Sequence, residues 1–284
     1  MTTIRQAWDE TAAALAAAGA GPQARHEAAW LLEHLLGCTR AGLLRQTAQP
    51  LPPAAATRLC ELRNRRCAGE PLQYLLGDVE FCGLRIEVGP GVLIPRPETE
   101  GLATLALAGS GAPDEPLLDL CTGSGAVAFA LAQARPAAPV HAVELSPAAL
   151  AWARRNRERL GLANVVLHEG DLFAPLPPGL RFRAITANPP YIPTAAYERL
   201  PVAVKGFEPR LALEAGADGL DLLRRIAAAA PARLLPGGRI ICEIGSDQGA
   251  AASACLRTAG LGGVTLARDC YGAIRFVSGD AFQL

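Results

Sequence analysis

Six consecutive residues, Thr186–Tyr191, read TANPPY and combine groups suited to holding a planar nitrogen atom. An amide or aromatic amine nitrogen is a poor nucleophile because its lone pair is delocalised. We expect the Asn188 side-chain oxygen to accept one N–H of such a group and the Pro189 backbone carbonyl to accept the other, which also favours loss of the proton as positive charge develops. Pro189 and Pro190 lack an N–H and restrict φ, so the loop is rigid. Tyr191 can stack on the flat amide or base.

A glycine-rich turn, LLDLCTGSG at residues 117–125, directly precedes a predicted helix. Gly123 and Gly125 have no Cβ and let the backbone approach a ligand closely, while the turn N–H groups and the helix N-terminus offer donors. Glu144 ends the next predicted strand, about 20 residues further on, where a carboxylate can accept two ribose hydroxyls. Ala128 interrupts the dinucleotide pattern G-x-G-x-x-G. A nucleoside without phosphate, such as S-adenosylmethionine, therefore fits better than a dinucleotide.

Each motif alone also has an ordinary structural explanation. The segment D-x-x-T-G-S-G can be no more than a tight turn between a strand and a helix, and Pro-Pro can simply terminate a strand. Glu144, at the end of the strand after the glycine turn, and Asn-Pro-Pro-Tyr, at the end of a fourth predicted strand, together favour the functional interpretation. Ligands of open α/β sheets bind at the carboxyl ends of the strands.

Asp171 and Leu172 lie in the segment GDLF (Gly170–Phe173), just after a third predicted strand. We expect the Asp171 carboxylate to accept the adenine amino group and Leu172 to pack against the base. A helix or turn cap at Asp171 is the alternative, and the local pattern alone does not choose between them.

Alternating helices and strands, from about Leu102 onward, must position these motifs. Apolar strands are predicted at 117–121, 140–145, 165–168, 183–187 and 239–244, with helices at 126–133, 147–160 and 219–230. This alternation predicts a mostly parallel, doubly wound sheet. Two further strands, 264–268 and 273–278, are joined by a link too short for a crossover, so they must be antiparallel.

The N-terminal part has a different character, with strong helix propensity at 3–18, 22–36 and 54–67. The segment Val79–Val88 is rich in β-forming residues and contains a glycine at a plausible turn, which predicts a short hairpin.

Composition restricts the partners and the compartment. The 284 residues carry 27 basic and 27 acidic side chains, and half of the residues are hydrophobic. A net charge of zero gives no global attraction to nucleic acid or to an anionic membrane. The eight cysteines show neither C-x-x-C spacing nor a zinc-like pattern with histidine. With no signal-like N-terminus and no apolar run of about 18 residues, the sequence predicts a cytoplasmic protein without a metal site or a membrane partner.

Several longer segments carry a family resemblance when taken in order. They are PLQYLLG (71–77), VEFCG (79–83), VLIPRPETE (92–100), DLCTGSGAVA (119–128), ANPPYI (187–192), FEPRLALEAGADGL (207–220) and LLPGGRIICEIGSDQG (234–249). In their order and spacing they resemble the peptide chain release factor N5-glutamine methyltransferases, the HemK-like family. The resemblance implies an N-terminal helical bundle at 1–76 that recognises the substrate, a β-hairpin linker at 77–95 and a methyltransferase domain at 96–284. That domain would have the seven-stranded, Rossmann-like fold of S-adenosylmethionine-dependent methyltransferases, mostly parallel with an antiparallel last strand.

The resemblance also implies an activity. Such an enzyme moves a methyl group from S-adenosyl-L-methionine, leaving S-adenosyl-L-homocysteine, to N5 of the glutamine in the Gly-Gly-Gln motif of class I release factors, and so modulates translation termination. It would act as a monomer and would need no nucleic-acid substrate. Asn188–Tyr191 would grip the glutamine. The residues implied in cofactor contact are Cys121, Thr122, Gly123, Ser124, Gly125, Glu144, Leu172 and Asn188.

Three positions depart from the common pattern of this family. Cys121 stands where glycine is common, which we expect to require an ordinary L-residue backbone there. Glu144 replaces aspartate and is longer by a methylene, and Leu172 replaces a tryptophan that some members have. We expect these changes to tune cofactor affinity rather than abolish it.

Three other functions compete with this interpretation. Relatives that methylate a glutamine of a ribosomal protein share Asn-Pro-Pro-Tyr, but IPRPETE (Ile94–Glu100) has the release factor form. An N6-adenine methyltransferase would need a basic surface, and the basic run Arg63–Arg66 is interpreted as a solvated helix face rather than as a contact to the substrate protein. A binding module without transfer activity is disfavoured by the intact Gly123–Gly125 and Asn188–Tyr191.

Overall fold

The computed structural model describes residues 2–109 and 111–282. The chain divides into two compact units. The first comprises Met1–Asp78 and Val202–Phe207, and the second comprises Val79–Pro201 and Glu208–Leu284. The assignment of residues 77–95 as a linker between two domains stays a prediction.

The first unit is a bundle of short helices. They are α1 (Ile4–Leu15), α2 (Ala24–Leu36), α3 (Arg40–Arg45), α4 (Pro53–Cys67) and α5 (Leu72–Leu76). Helix α1 begins with a capping box, in which Thr3 and Gln6 satisfy each other's backbone N–H groups. The hydrophobic cluster of buried residues in the bundle is aliphatic apart from Trp8, whose indole N–H donates to the Arg25 carbonyl at 2.9 Å.

The basic run on α4 is only partly a solvated face. Arg66 forms a two-atom ion pair with Glu27, with N···O distances of 2.7 and 2.9 Å, and its side chain is 20% exposed. Arg65 pairs with Glu70 in the same way nearer the surface. The expectation of a solvated face is therefore wrong at Arg66, because a bidentate pair with Glu27 holds its guanidinium against α2.

The second unit contains a hairpin and a larger sheet. The hairpin consists of β1 (Asp78–Phe81) and β2 (Leu84–Glu87). The strands of the larger sheet are β3 (Leu117–Leu120), β4 (Val140–Glu144), β5 (Val165–Glu169), β6 (Phe182–Ala187), β7 (Leu234–Glu243), β8 (Gly262–Arg268) and β9 (Ile274–Asp280). Its helices are α6 (Glu100–Leu107), α7 (Ala126–Ala134), α8 (Pro147–Leu160), α9 (Thr194–Tyr197), α11 (Asp221–Arg233) and α12 (Gly249–Thr258), whereas α10 (Val202–Lys205) belongs to the first unit.

The strand order of the seven-stranded sheet is β5-β4-β3-β6-β7-β9-β8. The pairs formed by β5, β4, β3, β6 and β7 are all parallel, and β9 runs antiparallel to both of its neighbours. The predicted fold class, with its mostly parallel sheet and antiparallel last strand, is confirmed. The central strands are buried on both faces, as Leu118, Ile185 and Ile240 illustrate, which is typical of a sheet covered by helices on both sides.

Helix α12 has no counterpart among the predicted elements. Its sequence, GAAASACLRT, has few large apolar side chains, so a helical period does not stand out. Leu256, fully buried, and Ala252 nevertheless pack into the core of the second unit. Among the helices of the described residues, none is both long and apolar enough to cross a membrane.

Candidate active site

A cleft opens at the carboxyl ends of β3, β4 and β6, with about 1000 Å³ of empty space when its open solvent side is included. Most of the residues predicted for the site line this cleft, namely Cys121, Thr122, Gly123, Ser124, Glu144, Asp171, Leu172, Asn188 and Pro190. Gly125, Pro189 and Tyr191, also predicted for the site, are not among the lining residues.

Glu144 connects the glycine turn to the start of α8. Its Oε2 accepts the Gly123 N–H at 2.8 Å, and its Oε1 accepts the Ser146 N–H at 2.8 Å. Burial raises the pKa of Glu144, and the backbone N–H groups that it accepts oppose that rise. Because each carboxylate oxygen can accept more than one hydrogen bond, both can still receive a hydroxyl from a ligand in the cleft.

Asp119, which the sequence analysis did not single out, is a buried carboxyl group that holds the glycine turn by hydrogen bonds. It is 2% exposed, and it accepts the hydroxyl of Thr122 at 2.6 Å and that of Thr186 at 2.8 Å. Burial raises the pKa of Asp119 to about 7. Its position two residues before Cys121 in DLCTGSG was a usable signal, because a carboxylate amid apolar strand residues needs a local partner.

Cys121 does not have the ordinary backbone that we expected. Its φ is +55°, and that of Leu172 is +49°. The expectation was wrong because the chain turns sharply as it leaves β3, and this turn needs a left-handed residue that only glycine adopts without strain. A glycine at the position of Cys121 would remove this strain.

The two glycines of the turn differ in what they accommodate. At Gly125, a Cβ would lie 2.2 Å from the Phe129 ring, so the missing side chain makes room for the first turn of α7 rather than for a ligand. At Gly123, the nearest atom to such a Cβ is 3.9 Å away, on Val92. Gly123 therefore faces the open side of the turn, and close approach of a ligand to its backbone stays a prediction.

The Asn-Pro-Pro-Tyr segment is fixed by contacts on both sides. The Asn188 Nδ2 donates to the Thr99 hydroxyl at 3.3 Å. The Tyr191 carbonyl accepts the Gln248 Nε2 at 2.9 Å, and the Tyr191 hydroxyl donates to Glu243 Oε1 at 3.5 Å. Burial raises the pKa of Tyr191 to about 12. Stacking of Tyr191 on a substrate amide stays a prediction.

Asp171 has a partner within the protein. Its carboxylate forms an ion pair with Arg225 on α11, at an edge of the cleft where both side chains are about half exposed. The backbone N–H of Gly170, the residue before Asp171, donates to the Glu144 carbonyl at 2.9 Å. This hydrogen bond places the segment after β5 beside the end of β4. Recognition of an adenine amino group by Asp171 stays a prediction.

Glu208 is a second residue that sequence reasoning missed. It is 4% exposed, accepts the Ile94 N–H at 3.2 Å and forms an ion pair with Arg96. It thereby joins the loop around Arg96 to the segment around Leu211, and both segments line the cleft. The motifs IPRPETE and FEPR each contain one member of the Arg96–Glu208 pair.

The sheet order and the cleft at its carboxyl edge are those of a methyltransferase. The family described as "Methyltransferase domain" matches residues 112–200, and the family described as "PrmC N-terminal domain" matches residues 6–77. A crystal structure of a methyltransferase from Pyrococcus furiosus aligns with a TM-score of 0.53 at 21% identity, covering 70% of this chain and 90% of that one. This likeness shows the fold.

Sequence relatives define the family more narrowly. The release factor glutamine methyltransferase of Moorella thermoacetica is 46% identical over 260 residues, which cover 91% of each chain. That of Geobacter sulfurreducens is 45% identical over 278 residues, which cover 98% of this chain and 96% of the relative. The chain belongs to the release factor glutamine methyltransferase family, and the resemblance noted in its motifs is confirmed.

Proposed function

We propose that the protein transfers the methyl group of S-adenosyl-L-methionine to the side-chain nitrogen N5 of the glutamine in the Gly-Gly-Gln motif of class I peptide chain release factors. The observation that carries this proposal is that Asn188, an acceptor for a planar nitrogen, opens onto the same cleft as Glu144, an acceptor for ribose hydroxyls. The two relatives are named release factor glutamine methyltransferase, so their protein substrate is a release factor. Modification at this motif would modulate translation termination, which takes place in the cytoplasm.

The residues of the cleft fit S-adenosylmethionine. The Glu144 carboxylate closes β4 with both oxygens able to accept hydroxyls, the backbone of Cys121–Gly123 lines the turn beside it, and Leu145 and Leu172 offer apolar walls for a base. The bound cofactor supplies a methyl group already activated by a sulfonium. The cofactor-binding residues would be Glu144, Asp171, Leu172, Asn188 and the turn Cys121–Gly125.

The remaining chemistry belongs to the loop Asn188–Tyr191. The Asn188 Oδ1 and the Pro189 carbonyl would each accept one N–H of the glutamine amide and hold its nitrogen in line with the methyl group. In the reaction the sulfur–methyl bond breaks, a nitrogen–methyl bond forms and one amide proton leaves. Aligned approach of two held groups supplies much of the rate, and acceptors placed where positive charge develops supply more.

Methyl-transfer assays with labelled S-adenosylmethionine test the proposal. Purified release factor is the substrate in one reaction and nucleic acid in another, and the product is mapped by mass spectrometry. We expect label on the glutamine of the Gly-Gly-Gln motif and none on a release factor whose glutamine is changed to alanine. Label on adenine would replace the protein substrate by a nucleic acid, and no label on either would contradict the proposed function.

Asn188→Ala tests the role of the amide acceptor in the same assay. We expect kcat to fall about 100-fold to 1000-fold, because a preorganised group that acts on developing charge is lost. Gln133→Ala, which removes an exposed side-chain amide near the end of α7, is the matched control and keeps wild-type turnover. Unchanged turnover of Asn188→Ala would remove Asn188 from the mechanism.

A further inference from the structure

Glu243, at the end of β7, is a buried carboxyl group that the proposed mechanism does not use. The residue is 2% exposed. Within residues 2–109 and 111–282, its Oε2 is the buried side-chain oxygen or nitrogen that has no hydrogen-bond partner. Leaving such an atom unpaired is destabilising, so a carboxyl group kept at this position calls for an explanation in function.

A short row of polar side chains leads from Glu243 to the cleft. The Asn188 Nδ2 donates to Thr99 Oγ1 at 3.3 Å. The Thr99 side chain, 5% exposed, lies beside the Glu243 carboxyl group and lowers the pKa of that group. The Tyr191 hydroxyl donates to Glu243 Oε1 at 3.5 Å. Glu243 therefore contacts, directly or through Thr99, both polar side chains of the Asn-Pro-Pro-Tyr loop.

The direction of these hydrogen bonds follows from the donors available. An ionised carboxylate can only accept, and a hydroxyl has one proton. If Thr99 gives its proton to Glu243, its oxygen must accept from its other neighbour, and the Asn188 NH₂ is the group that can donate. The Asn188 Oδ1 is then the amide atom left for a ligand. A reversed amide would present N–H groups to a substrate nitrogen that itself carries N–H groups.

We propose that Thr99 and Glu243 are positioning residues, which fix the Asn188 side-chain amide with its oxygen directed to the substrate nitrogen. The inference rests on the proposed function, because it assigns the acceptor that methyl transfer to an amide requires. Neither residue touches the reacting atoms through this chain, and both act through Asn188.

The charges around Glu243 determine whether its carboxyl group is ionised, and so whether it accepts the Thr99 proton. Burial, with a smaller contribution from Glu98, raises the pKa of Glu243 to about 7, although the Thr99 side chain, the Arg275 guanidinium and the Tyr191 hydroxyl oppose the rise. Arg275 also donates to Asp269 at 3.1 Å and to the Ile244 carbonyl at 3.4 Å, so it is shared among these acceptors. Protonated Glu243 can donate to Thr99, which removes the preference for one amide orientation.

Kinetics of three variants test the chain in the full-length protein. Thr99→Val removes the hydroxyl at nearly constant volume, and Glu243→Gln replaces the acceptor-only group by one that can also donate. We expect either change to lower kcat about 10-fold to 100-fold with little change in the Kd for S-adenosylmethionine. Thr99→Ser restores the hydroxyl and recovers most of the lost turnover. Thr104→Val, which removes an exposed hydroxyl from α6, is the matched control.

A double variant separates one shared function from two independent ones. If Thr99 and Glu243 act through the same amide, Thr99→Val with Glu243→Gln has a kcat close to that of the worse single variant. If the losses of kcat in the two single variants multiply in the double variant, or if Thr99→Ser is as slow as Thr99→Val, the proposed positioning role is wrong. In each case circular dichroism establishes that the variant is folded.

A measurement on the resting protein does not depend on the identity of the substrate. The side-chain ¹⁵N–¹H₂ signal of Asn188 is assigned by its loss in Asn188→Asp. We expect this signal to shift with pH as Glu243 titrates, and the shift to be absent in Glu243→Gln and in Thr99→Val. A pH-independent signal in the wild type would refute the positioning role even if release factor is methylated. If release factor is not methylated while the signal titrates, the proposed function fails and the positioning role stands.

Discussion

Strained and desolvated residues lie together at the carboxyl edge of the sheet. Cys121 and Leu172 have positive φ, and burial raises the pKa of both Asp119 and Glu243 to about 7. Conformations and charges of this kind are destabilising, and they persist where the surrounding structure holds them for a function. At the scale of single residues, the cleft is formed by residues whose backbone conformation or buried carboxyl group is itself unfavourable.

The backbone at Cys121 gives a prediction about stability. A left-handed conformation costs an L-residue about 1–2 kcal/mol, and a β-branched side chain tolerates it least. We expect Cys121→Val to lower the free energy of unfolding by about 1–3 kcal/mol. Cys121→Gly should change it by about 1 kcal/mol or less, because relief of strain is offset by the greater freedom of glycine in the unfolded chain.

Urea unfolding followed by circular dichroism measures these differences. Cys255→Val is the control for Cys121→Val, since Cys255 is also partly buried against the core but lies within the regular helix α12. Equal losses at the two cysteines would mean that the left-handed backbone at Cys121 has no energetic consequence.

Two loops that carry no regular strand or helix over most of their length form one side of the cleft. Glu208 is their shared anchor, through the Ile94 N–H and the Arg96 guanidinium. Removing one partner of a buried ion pair leaves the other charge uncompensated, although Arg96 is 36% exposed and water screens part of the effect. At the scale of elements, one buried carboxylate therefore joins the two loops, in addition to the backbone hydrogen bonds that each loop makes.

We expect Glu208→Gln to loosen the loop around Arg96 and weaken cofactor binding. The Kd for S-adenosylmethionine should rise about 3-fold to 30-fold, equivalent to about 0.7–2 kcal/mol, and the Ile94 amide should exchange faster with solvent. Calorimetric titration and hydrogen–deuterium exchange measure the two effects. Glu169→Gln breaks an exposed Glu–Arg pair of the same kind and should change neither. Faster exchange spread over the whole chain would indicate general destabilisation instead.

The sequence predicted the elements well and the contacts between loops poorly. Strands such as β4 and β6 are short apolar runs, and α8 has Ser146 as its cap and Gly161 after its end, so local composition marks them. The Thr99–Glu243 and Arg96–Glu208 contacts leave no local sign, because their members come from different segments and meet only after the sheet has formed. The left-handed backbone at Cys121 is equally hidden, since cysteine does not signal it. The motif resemblance predicted where the site lies, but it did not predict the contacts that hold the site residues in position.

At the scale of the whole molecule, the buried carboxyl groups of the cleft link function to pH-dependent stability. A carboxyl group whose pKa is raised in the folded protein holds its proton longer than in the unfolded chain. Between the unfolded value and the folded value, the native state binds more protons, so stability falls as the pH rises. For Glu243 and Asp119 that window runs from the ordinary pKa of a carboxyl group up to about 7, and the destabilisation is fully present above it.

Glu243→Gln should therefore stabilise the protein more in mild alkali than in acid. Relative to wild type, we expect its free energy of unfolding to be on the order of 1–3 kcal/mol more favourable at about pH 8 than at about pH 5. Glutamine cannot ionise, and so it removes the cost of burying a charge that is paid only at the higher pH. Denaturant unfolding at both pH values measures the difference, and Glu169→Gln serves again as the exposed control. A variant that gains stability in this way while losing kcat shows that Glu243 is kept for the orientation of Asn188. A variant equally stable at both pH values, relative to wild type, would mean that Glu243 is not charged in the working enzyme.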